Sequence, residues 1–253
     1  MVNFTDITRR ENRFVFIAPM YNASATLPRL LHSLYGQSYS KWMLYLIDDL
    51  SSPNEREEEA RVITRFRSLR DQGCRHLKVK WNSEKKWEVA NVIYGINEAC
   101  CDEDIVCRID ADDWLVDLDA LHIINEAYND TKCNALWTAH RWGYSDKNIS
   151  GPLPDDADPY VHPWVTSHLK TFKKRLLNDV CDENFRGEDG EYIQRAGDQA
   201  IYLPVLRNAG KRVFLPRVMY HYTIEDVPET YQTDDARFQR DEAQFLRRRG
   251  YVI

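Results

Sequence analysis

Asp110, Asp112 and Asp113 stand within four residues of one another, in the stretch DIVCRIDADDWLVDLDAL at 104–121. Carboxylates so close repel, and a cation among them relieves the repulsion. Hard divalent ions such as Mg²⁺ or Mn²⁺ take oxygen ligands, often one or two carboxylates plus substrate phosphates. The leading reading is an Asp-Ala-Asp clamp for a metal-bound diphosphate, and a solvated acidic turn is the plain alternative. An EF-hand loop starting at Asp110 fails, because its fifth, sixth and twelfth positions would be Trp114, Leu115 and Leu121. An aspartyl-phosphate phosphatase would carry its Asp-x-Asp after the first strand, whereas this one follows the fourth.

Something must hold these acids. Ile105, Val106, Cys107 and Ile109 form a short apolar run of the kind a buried parallel strand needs. Open α/β sheets bind ligands at the carboxyl ends of such strands. Residues 13–18 read as a first strand, ending in Pro19-Met20-Tyr21-Asn22. A helix follows near Thr26, which can cap it, with Pro28 in its first turn and Leu27, Leu30, Leu31, Leu34 and Tyr35 on its apolar face. Residues 42–47 are a second strand, running into Asp48-Asp49-Leu50-Ser51. Residues 54–72 are a charged helix with Ala60, Ile63 and Phe66 inward. A third strand spans 77–81, a loop with Asn82, Lys85 and Lys86 follows, and a helix over 87–101 turns Val89, Val92, Ile93, Ile96 and Ala99 inward.

A helix over 117–129 and a strand over 134–140 complete an alternation that predicts a parallel sheet with right-handed crossovers. The pattern then changes. Residues 143–163 hold Pro152, Pro154, Pro159 and Pro163 in an irregular loop. A strand at 164–172, a turn at 173–178 and a polar loop at 182–197 precede a helix at 198–208, which stops at Gly210. The last strand, 212–222, carries His221, and an Arg-rich helix runs from Thr233 towards Gly250.

Composition narrows the function. The chain has 253 residues, 43% hydrophobic and 29% charged, with a net charge of −6. That charge argues against a general nucleic-acid binder. No run of about 18 apolar residues suggests a membrane span, and the N-terminus lacks the apolar core of a signal peptide. Cys74, Cys100, Cys101, Cys107, Cys133 and Cys181 show no metal or disulfide-scaffold spacing. They are expected as reduced thiols of a cytoplasmic protein.

Four features in order, Pro19-x-Tyr21-Asn22, Asp48-Asp49-x-Ser51, Asp110-Ala111-Asp112-Asp113 and Gly197-Asp198-Gln199, resemble family 2 glycosyltransferases with the GT-A fold. The resemblance spans roughly 13–210. It implies one α/β domain with a mostly parallel central sheet flanked by helices. Residues 13–142 would form its nucleotide-sugar half, 143–222 an irregular acceptor half, and 223–253 a helical tail. It further implies that Pro19, Tyr21, Asn22, Asp110 and Ala111 line the nucleotide, and that Asp49 accepts from the imide of uracil. Asp112 and Asp110 would hold Mn²⁺ or Mg²⁺, with His221 as a third ligand as in some GT-A enzymes. Asp198 would be the base of an inverting transfer from a UDP-sugar to a glycan, lipid-linked or protein acceptor.

Plainer roles stay open beside these. Asp49 or Asp48 could cap a helix, Asp198 could be an N-cap, and His221 could be structural. Glu188, Asp189 and Glu191 rival Asp198, since the family more often writes this motif Glu-Asp. His168, Lys85 and Lys86 could approach the phosphates or sugar, and Trp114, Trp142 and Trp164 could stack on sugars. A nucleotidylyltransferase would carry a glycine-rich loop after the first strand, and a dinucleotide enzyme a G-x-G-x-x-G; neither is present. A non-catalytic sugar-binding module of the same fold is the alternative. The tail arginines, with Phe238, Phe245 and Leu246, could rest on an anionic membrane, pack on the domain or form a homodimer contact.

Overall fold

The computed structural model describes residues 9–70, 76–145, 147–223 and 233–253. Cys74, the last two residues of the helix expected over 54–72, and residues 224–232 of the tail lie outside them. The strands are β1 (Phe14–Met20), β2 (Trp42–Asp48), β3 (His76–Trp81), β4 (Ile105–Arg108), β5 (Trp114–Leu115), β6 (Ala135–Trp142), β7 (Lys170–Lys173) and β8 (Arg212–Tyr222). The helices are α1 (Leu27–Tyr35), α2 (Pro53–Arg70), α3 (Trp87–Ala99), α4 (Ala120–Thr131), α5 (Gly197–Asn208) and α6 (Asp234–Arg249). The strands form one sheet in the order β3-β2-β1-β4-β7-β6-β8-β5.

Strands β3, β2, β1 and β4 are mutually parallel, as the alternation predicts. Beyond β4 the sheet stays mostly parallel, since β6 and β8 keep the direction of β1–β4, but β7 is inserted against it. Strand β7 enters antiparallel to both β4 and β6, and β6 pairs parallel with β8. The strand expected over 164–172 is only its last part, and β5 was not anticipated. Two residues long, β5 pairs antiparallel with the end of β8, Trp114 opposite His221.

Alternation along each strand feeds two apolar layers. Phe14, Phe16 and Ala18 face α1, α2 and α4; Val15 and Ile17 face α3, α5 and α6. Two details differ from the sequence reading. Thr26 makes no side-chain cap on α1, because its hydroxyl donates to the Ala23 carbonyl instead. On α2 the buried partner of Ile63 and Phe66 is Glu59 rather than Ala60, its carboxylate accepting from the Ala23 amide at 2.8 Å. Cys100, Cys101, Cys107, Cys133 and Cys181 are free thiols. No helix among the described residues is long and apolar enough to cross a membrane.

Candidate active site

Strand β4 ends in a buried charge. Val106 faces the layer of α3 and α5, so Arg108, two residues on, points the same way. Its Nη2 lies 2.6 Å from Asp110 Oδ1 and 2.7 Å from Glu88 Oε1, and its Nη1 lies 3.0 Å from Asp198 Oδ1. Lys170 reaches the same point from β7, because it shares a face with buried Phe172. Its Nζ stands 2.7 Å from Asp198 Oδ1. Asp198 Oδ2 faces His168 Nε2 at 3.9 Å. One guanidinium thus joins the acid cluster after β4, the first turn of α3 and the first turn of α5.

Buried charges survive only when paired, and here the pairing is uneven. Burial alone would raise Asp198, but Lys170 and Arg108 hold it well below the usual carboxylate range. Burial pushes Glu88 up to about 7 despite Arg108, and raises Asp110 against the same pull. Asp112 is exposed at the tip of the turn, yet desolvation by the surrounding chain and the neighbouring Asp110 push it up to about 6. Asp113 is buried and serves the fold, accepting from the Tyr220 hydroxyl at 2.6 Å and the Thr223 amide at 2.7 Å. Burial lowers Lys170 and, more strongly, His168.

The residues expected to line the nucleotide gather at the ends of β1 and β2. Pro19 and Met20 pair with Ile47 and Asp48 across the strands. Asn22 takes φ +50°, a conformation asparagine tolerates. Its amide donates to Ser51 Oγ at 2.8 Å, and its Oδ1 accepts from the Ser52 amide at 3.0 Å. Tyr21 is exposed, with Lys85 Nζ 4.1 Å from its ring centre. Asp49 accepts from the amides of Lys86 (2.7 Å) and Trp87 (3.0 Å), so it caps the start of α3. A carboxylate offers about four lone-pair sites, which leaves acceptor capacity for a ligand. Asp48 is fully buried and pairs with Arg56. Ala111 is buried beneath the turn.

Of the two histidines singled out, His221 packs on an aromatic ring and His168 faces the acids. His221 stacks on Trp114 with ring centres 3.7 Å apart, and Arg29 lies over the far part of that stack. Burial, with Arg141 and Arg29 nearby, lowers its pKa. The histidine beside the acids is His168, sandwiched by Tyr220 and Tyr222 at 4.7 and 4.6 Å. Among the described residues, Asp110, Asp113 and His168 offer ligand atoms within 4.8 Å of one another, and His168 Nδ1 is buried without a hydrogen-bond partner. Two carboxylates and an imidazole are ligand types that a divalent ion takes; exposed Asp112 is not one of the three, and both oxygens of Asp113 already accept hydrogen bonds.

Glu188, Asp189 and Glu191 lie in an exposed turn between Arg186 and Tyr192. Trp164 flanks Lys170, whose Nζ is 5.9 Å from the Trp164 ring, while Trp142 packs edge-on to Tyr222. Arg108, Glu88 and Lys170 were not singled out from sequence. The available signal was a charge inside an apolar strand, as in IVCR and LKTF.

Residues 15–153, more than half of the chain, match the model of Glycosyl transferase family 2. No curated protein is matched. Among solved structures the chain is similar to S. aureus TarS 1-349 in complex with UDP, at TM-score 0.65 and 18% identity, covering 91% of this chain and 65% of that one. It is similar to S. aureus TarS at TM-score 0.63 and 18% identity, covering 84% of this chain and 37% of that one. The mannosyltransferase PcManGT from Pyrobaculum calidifontis, in complex with GDP-Man and Mn²⁺, gives TM-score 0.57 and 16% identity, covering 87% and 59%. At these identities the likeness is one of fold, and the chain spans only part of each of these proteins. The likeness to these structures shows the fold, and the match over 15–153 shows that the chain belongs to glycosyl transferase family 2.

Proposed function

We propose that the protein is an inverting glycosyltransferase, moving the sugar of a UDP-sugar to a hydroxyl of a glycan, lipid-linked or protein acceptor. The observation that carries this reading is the single guanidinium of Arg108 bonded to both Asp110 and Asp198. It brings a carboxylate suited to the donor diphosphate beside one suited to the acceptor. Asp198 Oδ2, turned away from Lys170, takes the acceptor proton while the acceptor oxygen bonds the anomeric carbon. The bond from that carbon to the diphosphate breaks, and its electron pair leaves with UDP. Held in the ionised form, Asp198 is a weak base, so the proton transfers late, once the acceptor oxygen is largely bonded to carbon and acidic.

Asp110 and Asp112 would hold a divalent ion on the diphosphate. Bound there, it supplies Lewis-acid and templating chemistry to the leaving group. The UDP preference is supported by the complex of TarS 1-349 with UDP and by the remaining acceptor capacity of Asp49. Residues 13–142 would then supply the nucleotide-sugar side and 143–222 the acceptor side.

Calorimetric binding of UDP, dTDP and GDP, each with Mn²⁺ or with EDTA, tests this on the wild type and Asp112→Ala. The expected result is metal-dependent UDP binding that the substitution abolishes. Tight dTDP or GDP binding instead would change the donor class. Binding of no nucleotide under any condition would replace the transferase by a sugar-binding module of the same fold.

A further inference from the structure

The segment that delivers Asp198 is held from outside the sheet, by the C-terminal helix. Glu242 lies midway along α6, which is anchored in the core by buried Leu246. Its Oε1 accepts from the Gln194 amide at 2.9 Å, and its Oε2 from the amides of Arg195 at 2.8 Å and Ala196 at 2.9 Å. Three successive N–H groups around one carboxylate form a backbone nest. The nest closes two residues before Asp198. One turn further along α6, Arg247 Nε donates to Gln199 Oε1 at 2.7 Å, one residue after Asp198. Gln239 Nε2 adds a bond to the Arg195 carbonyl at 3.2 Å. Helix α6 therefore grips the chain on both sides of Gly197-Asp198.

We infer that α6 is a strap that sets the position of the acceptor-side carboxylate, with Glu242 as its principal positioning residue and Arg247 as its second. This rests on the reading of Asp198 as base. Glu242 acts through the backbone amides of residues 194–196. The three N–H groups it accepts from lie before the first turn of α5, where water would otherwise have to satisfy them. Without it the segment 194–196 loses its fixed course, and Asp198 keeps only its partners Arg108 and Lys170. The donor side keeps its own frame in β1, β2 and β4, and meets this segment at two points, Arg195 over the Trp87 ring at 4.4 Å and Gly197 against the Glu88 carboxyl.

The test uses the full chain with Mn²⁺ and reads UDP release from UDP-glucose, UDP-galactose and UDP-N-acetylglucosamine, with water as acceptor. On the donor that the wild type turns over fastest, Glu242→Ala should lower kcat about 10- to 100-fold, since small misplacements of a reacting group carry such penalties. KM for the donor and calorimetric UDP affinity should stay within about twofold, the split expected when ground-state binding is untouched. The loss should vanish in an Asp198→Asn background. Glu242→Gln keeps the side chain's shape but turns one acceptor towards the nest as a donor; it should fall in the same direction and serves if Glu242→Ala does not fold.

A wild-type kcat in Glu242→Ala or Glu242→Gln, beside an Asp198→Asn slowed to a small residual rate, overturns the strap and leaves the base assignment standing. The same holds if the Glu242 effect persists undiminished on Asp198→Asn. Full release by Asp198→Asn instead removes the base reading and the strap with it.

Discussion

Glu88 and Asp198 are carboxylates on the same guanidinium, yet they are driven in opposite directions. Asp198 has Lys170 at 2.7 Å in addition to Arg108, whereas Glu88 has Arg108 at 2.7 Å and burial against it. A folded-state value of about 7 lies above the ordinary glutamate value, so the folded protein holds that proton more tightly than the unfolded chain. Its contribution to stability is present at low pH and is lost as pH rises from the ordinary glutamate range through about 7. Glu88→Gln removes the titration while keeping the shape. Relative to wild type, the variant should therefore gain stability between pH 5 and pH 8, on the order of 1–3 kcal/mol. Urea unfolding at both pH values measures this, and a difference that does not change with pH would mean that Glu88 titrates normally.

At the scale of elements, the site depends on α3 and α5 approaching closely. A Cβ added at Gly197 would lie 2.5 Å from the Glu88 carboxyl. To make room, that carboxyl would have to turn aside and give up its ion pair with Arg108 at 2.7 Å. Gly197→Ala should cost about 1–3 kcal/mol as an overpacked contact, read from the denaturant midpoint. Shortening the opposing side chain in a Gly197→Ala/Glu88→Ala double variant should recover part of that loss, and a strictly additive result would place the strain elsewhere.

Much of this arrangement was legible locally. Strand–helix alternation placed β1 to β4 with their helices, because a buried parallel strand and an amphipathic helix each write a short-range pattern. Acids at strand ends and Gly197-Asp198 before a helix marked the corresponding turns. Strand β5 was invisible: two residues carry no period, and its partner β8 lies about a hundred residues away in the chain. Trp164–Phe172 looked like one strand, but only Lys170–Lys173 meets β4 and β6. The place of His168 beside the acids has the same origin. Which histidine faces a carboxylate depends on sheet order, and sheet order is set by contacts distant in sequence.

The sheet order also constrains the molecule as a whole. The proposed division at residue 142 would separate a nucleotide side from an acceptor side, but the sheet crosses that boundary. From the acceptor side, β7 sits between β4 and β6, both from the nucleotide side. From the nucleotide side, β5 is bonded only to β8. Without residues beyond 142, β4 and β6 have no common neighbour, and the buried faces of Val106 and Ala135 lose Phe172 and helix α5. Unpaired strand edges and exposed apolar faces of this kind favour aggregation over folding. A fragment of residues 1–142 should therefore show no cooperative thermal transition, while the full chain should unfold in one step with coincident near- and far-ultraviolet circular dichroism. A fragment that melts cooperatively and binds UDP with Mn²⁺ would mean that the nucleotide side folds alone, and that β7 docks onto a sheet already formed.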